Sequence, residues 1–202
     1  SFASCFALLG VAIALLILSA DGTVRTYEVG DWPAPFGIVL VLDRLAAIML
    51  TLTAVLALIA LIHAVVTKID RDGWHFHPLF QFQLMGLNGA FLTGDLFNLF
   101  VFFEILLIAS YALLLHGHGA KRVRAGVHYV VLNLLGSSLF LIGASMLYGL
   151  TGTLNMADLA VRVSAADPAD APLLAAAGFL LLVVFALKAA ILPLYFWLPR
   201  AY

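Results

Sequence analysis

Two ionisable residues stand deep inside long apolar runs, Glu104 within Leu96 to Leu115 and Lys188 within Leu173 to Leu198. A charge at mid-bilayer costs from about 3 kcal/mol upward, so such residues face a polar cavity or a partner and mark a pathway. Glu104 lies eight residues past Leu96. At about 1.5 Å per residue that is about 12 Å deep, near the middle of a hydrocarbon layer about 30 Å thick. Lys188 lies fifteen residues past Leu173, slightly inward of centre. An ammonium so placed can accept and release a proton, and a carboxylate near it can tune that step. Pairing with the carboxylate favours the charged ammonium, and separation leaves desolvation to favour the neutral amine and proton release. A pin between helices is the bland alternative, but an apolar pair would serve that purpose at little cost. The chemistry these residues point to is proton translocation by Glu104 and Lys188.

Their surroundings supply further candidates. Pro193 lies five residues beyond Lys188, where a proline is expected to break the helix and free the Ala189 carbonyl beside the lysine. Broken helices are tolerated in membranes where they line a cavity. His128 is a candidate for proton uptake near the inner face, because histidine titrates close to physiological pH. Asn133 and Ser137 are candidate members of a hydrated path. Asn88, Ser138, Gly126, Gly136 and Gly143 read as helix packing, and Tyr195 and Trp197 as interfacial anchors. The alternate-residue pairs His75 with His77 and His116 with His118 have a spacing that can hold a metal. No Cys or carboxylate cluster completes a ligand set, so they read as loop histidines. A haem would need facing histidines at mid-depth, and only His63, near a span end, comes close. The lone Cys5 forbids an internal disulfide and reads as a small buried hydrophobe. No metal and no cofactor is expected.

The elements that must position these groups follow from composition. Of 202 residues, 64% are hydrophobic and 10% charged, against about 45–50% and about 25% in soluble domains. There is too little polar surface to cover a soluble globule, and the net charge of -1 gives no case for a nucleic-acid partner. The class expected is all-α integral membrane. Six segments fit a membrane ruler: Phe2 to Ala20, Ile38 to Val66, a short one from Leu79 to Thr93, Leu96 to Leu115, Val123 to Leu150, and Leu173 to Leu198. Only Gly94 and Asp95 separate the third from the fourth, which predicts a tight helical hairpin. The stretch from Thr151 to Ala171 has room for a small surface helix. Lys68, Arg71, Lys121, Arg122, Arg124 and Arg200 fall on one side and Arg25, Arg44 and Arg162 on the other, so the first side is cytoplasmic. The start at Ser1 without a basic leader and the stop at Tyr202 are read as the cut ends of a fragment, residues 1–202 forming one transmembrane domain.

The strings themselves are specific. TGDLFNLFVFFE from Thr93 to Glu104, followed by ILLIASYALLLHG, resembles the D-type subunit of Mrp-type multisubunit monovalent cation/proton antiporters. GDWPAPFGI from Gly30 to Ile38 and LKAAILPLYFWLPRAY from Leu187 to Tyr202 resemble the same subunit, so the likeness runs over essentially the whole chain. The wider family includes the antiporter-like proton-pumping subunits of complex I, the NADH:quinone oxidoreductase, and of membrane-bound hydrogenases. The resemblance implies a larger subunit of about fourteen helices with inverted repeats, each containing a broken helix. This chain would then cover the second to seventh helices. It also implies that Glu104 and Lys188 are the family's key ionisable pair. Relatives commonly carry a Lys-Tyr pair where this chain has His128 and Tyr129.

Three functional readings follow. The first is a bacterial plasma-membrane antiporter subunit moving protons in exchange for Na+ or K+, beside other membrane subunits in the lipid bilayer. The second is a proton-pumping subunit of a complex I-like or hydrogenase-like oxidoreductase, with no redox centre of its own. The third, a retinal protein with Lys188 as Schiff-base partner, lacks the acidic counterion cluster expected in the third span. A mere scaffold leaves the buried charges without purpose.

Overall fold

A computed structural model describes residues 1–117 and 119–201. His118 and Tyr202, and the side chains of Lys121, Arg200 and Ala201, lie outside the described residues, so the expectations that rested on them stay with the sequence. The chain runs α1 (Phe2–Leu18), β1 (Arg25–Glu28), β2 (Val39–Leu42), α2 (Arg44–Val66), α3 (Phe76–Leu92), α4 (Leu96–Leu114), α5 (Ala120–Thr151), α6 (Met156–Ser164), α7 (Ala171–Lys188) and α8 (Leu198–Ala201). Five helical segments among the described residues, at α1, α2, α4, α5 and α7, are long and apolar enough to cross a membrane. α3 has 17 residues, at the short limit for a span.

The all-helical membrane class stands with one addition. β1 and β2 form a two-stranded antiparallel sheet pairing Arg25 with Leu42 and Glu28 with Val39. Its second strand occupies what hydropathy reads as the start of the second span. The helix instead begins at Arg44, because the Asp43 carboxylate accepts from Ala46 N at 2.7 Å and caps it.

Small residues set the helix contacts. α3 packs along α4, α1 on α2, and α5 on α7. A Cβ at Gly86 would stand 2.6 Å from Leu106 Cβ and 2.8 Å from Phe102 O, and one at Gly89 would enter the Phe102 ring. On α5, Gly136 and Gly143 face Leu187 and Leu181 of α7. This is how apolar helices associate in lipid, where close backbone approach replaces hydrophobic burial. Many large side chains point outward, among them Ile108 at 62% and Phe179 at 69% exposed.

The two ends of the bundle are tied differently. At one end, His116 Nε2 meets Ile69 O at 2.9 Å and Arg122 reaches the His116 carbonyl, joining the α2–α3 and α4–α5 connections. His77 pairs with Asp70 at 3.5 Å in the same region. At the other end, Gly94 N donates to Val39 O at 2.8 Å, and Leu96 N donates to Leu154 O at 2.9 Å. Thr93, Asp95, Asn98, Thr151, Thr153 and Asn155 are all buried there and hydrogen-bonded. Arg44 and Arg162 cap carbonyls of Ala20 and Thr151 at this end. Among the described residues, Arg122 thus lies at the first end and Arg44 and Arg162 at the other, on the sides the sequence predicts. α6 is the expected surface helix, opened by Asn155, whose Oδ1 accepts from Asp158 N at 3.1 Å. The Arg162 guanidinium, 3.0 Å from Asp158, holds that carboxyl below its ordinary value.

Candidate functional site

α4, α5 and α7 converge on one polar line. α4 begins at Asp95, whose carboxylate accepts from Asn98 N at 2.9 Å, so Glu104 falls in the middle of an uninterrupted helix. Ser137 is buried at the facing position of α5, and its Oγ donates to Glu104 Oε1. Lys188 closes α7 and extends its Nζ to the same Ser137 Oγ, at 3.4 Å. The ammonium also lies 5.2 Å from the centroid of the Phe103 ring, a cation–π contact. The two predicted charges are thus joined through a hydroxyl rather than as a direct ion pair.

Aromatic rings enclose this line on both sides. Phe100, Phe103, Phe140 and Phe185 interlock at centroid distances of 5.8 to 6.5 Å, with Phe140 fully buried. On the other side Tyr129 meets Tyr111 edge-to-face and Trp197 at a tilt, each at 5.3 Å, around Leu107 and Leu187.

The helix break comes earlier than the expectation at Pro193. α7 ends at Lys188, and Ala190 takes a φ of 53° in the left-handed region. Ala190 N donates to Leu187 O at 3.2 Å and Ile191 N to Ala186 O at 3.0 Å. These are the two bonds of a Schellman turn, formed at an alanine instead of the usual glycine. Pro193 sits beyond it in the turns that lead to α8. Trp197 is a buried pin here rather than an interfacial anchor, its Nε1 donating to Leu187 O at 2.9 Å. Tyr195 is 44% exposed.

Of the path candidates, Asn133 and Ser137 share one face of α5 with Tyr129, each four residues from the next. All three are buried, and Asn133 Nδ2 donates to Tyr129 O at 2.9 Å. Tyr129 Oη lies 3.2 Å from Ser110 Oγ on α4, which extends the polar face toward the end that carries Lys68 and Arg122. His128 is one step around the helix. Its ring meets the edge of Phe196 at 6.4 Å, and its buried Nε2 has no hydrogen-bond partner among the described residues. The structure does not bring His128 onto the line of Asn133 and Ser137. Tyr129 and Ser110 were missed as site residues, although the spacing 129, 133, 137 carries the signal. His75, His77 and His116 gather no third ligating group among the described residues. Cys5 is buried between α1 and α3, 3.6 Å from Gln81 Nε2.

Known proteins resemble this chain in sequence and in fold. The family described as "NADH:quinone oxidoreductase/Mrp antiporter, TM" matches residues 93–202. A Rhizobium meliloti protein, named as a probable K(+)/H(+) antiporter subunit of the D type, is 54% identical over all of this chain and 38% of its own length. The corresponding Na(+)/H(+) antiporter subunit of Alkalihalophilus pseudofirmus is 45% identical over 98% of this chain and 41% of its own. A chain of the solved Mrp complex from Dietzia sp. superposes with a TM-score of 0.87 at 37% identity, covering 100% of this chain and 37% of that one. The chain therefore spans about two-fifths of the length of the relatives it matches.

Proposed function

Because this chain belongs to the family of NADH:quinone oxidoreductase and Mrp antiporter membrane subunits, we propose that it is part of the proton-translocating subunit of a monovalent cation/proton antiporter. The complete subunit works beside other membrane subunits in a bacterial plasma membrane and exchanges protons for Na+ or K+. The observation that carries this reading is the buried line Lys188–Ser137–Glu104 at the meeting of three helices. Lys188 takes up and releases the proton. Glu104 sets how readily it does so, since a nearby carboxylate favours the ammonium and its neutralisation or retreat favours the amine. The polar face of Ser110, Tyr129 and Asn133 is the approach from the basic, cytoplasmic end. The aromatic wall on the far side keeps protons from crossing without passing the pair.

The test uses the complete subunit with its partner subunits, expressed in an antiporter-deficient bacterium. Collapse of the pH gradient by Na+ or K+ is followed in everted membrane vesicles. Wild type responds to the cation, and Glu104→Ala and Lys188→Ala do not. Full cation response in both variants refutes the site. A wild type that ignores cations yet pumps protons on addition of NADH or another electron donor transfers the same pair to a redox-driven pump.

A further inference from the structure

Among the described residues, Ser137 is the group that hydrogen-bonds to both Glu104 and Lys188. The ion pairs among those residues are Arg25 with Asp21, His77 with Asp70 and Arg162 with Asp158, so the two intramembrane charges do not meet directly. Ser137, like Ser4 on α1, gives its proton to a side chain, whereas several other helical hydroxyls of the chain turn back to their own helix. Ser110 donates to Leu107 O, Ser138 to Leu134 O, Thr151 to Leu147 O and Ser164 to Val161 O. This back-bonding to the preceding turn is the ordinary way for a helical hydroxyl to satisfy its proton. Ser137 forgoes it and gives its proton to the Glu104 carboxylate, which leaves an oxygen lone pair for the Lys188 ammonium.

We infer that Ser137 carries the proton between Lys188 and Glu104, an assignment that rests on the proton-transfer reading of that pair. An N–H bond of the Lys188 ammonium breaks as an O–H bond forms at Ser137 Oγ. The original Ser137 O–H breaks as an O–H bond forms at Glu104 Oε1. The products are a neutral amine, a neutral carboxyl group and an unchanged serine. The hydroxyl then turns, so that the next transfer starts from the same arrangement, and the reverse step restores both charges. The 3.4 Å Lys188–Ser137 separation is at the long limit of a hydrogen bond, and transfer requires the lysine stem to close by about 0.5 Å. Lysine position is then the gate and serine the wire. The phenyl wall of Phe103, Phe140 and Phe185 occupies the space on one side of this junction.

The vesicle assay on the complete complex decides it, with Ser137→Ala, Ser137→Cys and Ser137→Thr beside Glu104→Ala and Lys188→Ala. Loss of the hydroxyl in Ser137→Ala slows cation-driven proton flux about a hundredfold. Ser137→Thr retains flux and its slowing in D2O. Ser137→Cys keeps the shape but offers a weak donor, and it also loses flux, which separates chemistry from packing. Wild-type flux in Ser137→Ala or Ser137→Cys, with Glu104→Ala and Lys188→Ala inactive, overturns the serine carrier and leaves the pair standing. Wild-type flux in all of them overturns the pair itself.

Discussion

Replacing Gly86 with alanine tests a close backbone contact between the helices that support the site. The new Cβ would meet Leu106 Cβ at 2.6 Å, Leu106 N at 2.7 Å and Phe102 O at 2.8 Å. Two of these atoms are backbone, so a side-chain rotation cannot relieve the overlap. α3 and α4 must separate by about 1 Å to restore ordinary contact near 3.5–4.0 Å. Overpacking of this kind costs about 1–3 kcal/mol, with rigid partners toward the upper end. The change from glycine to alanine in a helix returns about 1 kcal/mol. The net loss is about 2 kcal/mol, or about 4–8 °C in Tm on the scale of a 200-residue domain. The assay is thermal unfolding of the purified complete complex with a thiol-reactive dye. Cys5, fully buried in the cluster that contains Leu84 of α3, reports locally once a Cys5→Ala background is subtracted. Cation-driven flux should fall in parallel, because Leu106 and Phe102 flank Glu104 on α4. An unchanged melting point with unchanged flux would refute the inference that α3 sets the position of the Glu104 helix.

Trp197→Phe removes the donor to Leu187 O and costs about 1 kcal/mol; amide exchange across residues 189–198 should quicken about fivefold, and no change would mean the indole is not the pin. Tyr129→Phe removes the contact to Ser110 and should slow antiport more than His128→Ala, the reverse order placing the path on the other face of α5. The Asp158 carboxyl is held below its ordinary 3.8 by the hydrogen bond from Arg162. That pair therefore contributes fully above pH 3.8 and is lost as pH falls through the lowered value. Exchange protection of α6 should hold down to about pH 4 and then drop, and Arg162→Ala should abolish the pH dependence.

What was legible in the sequence came from properties that are local and strong. Apolar length located the spans, charge on the connections segregated the ends, and Gly94–Asp95 announced the α3–α4 hairpin. The strand β2 was hidden because Val39–Leu42 is a short apolar run, which periodicity cannot separate from the start of a buried helix. Asp43, an ordinary capping residue, was the available signal. The end of α7 was invisible for a different reason. Proline announces a break, but a left-handed alanine does not, since tertiary packing around Trp197 and Leu187 holds Ala190 there. Glu104 and Lys188 declared themselves because an intramembrane charge is rare. Ser137 was visible only as one polar residue among several. Its place between them depends on how three helices rotate against each other, and no single segment encodes that.

The polar knot around Thr93, Asp95 and Asn155 gives α4 the mechanics of a cantilever. Its outer end is clamped by backbone bonds to β2 and to the strand-like residues before α6, while its inner end rests on side chains. Glu104 lies about 12 Å from the clamp and Leu114 about 27 Å from it. A rigid tilt about the clamped end would move Leu114 about twice as far as Glu104. The α4–α5 connection, which His116 ties to Ile69 O and Arg122 to the His116 carbonyl, is therefore where such a tilt would be resisted with the longest lever arm.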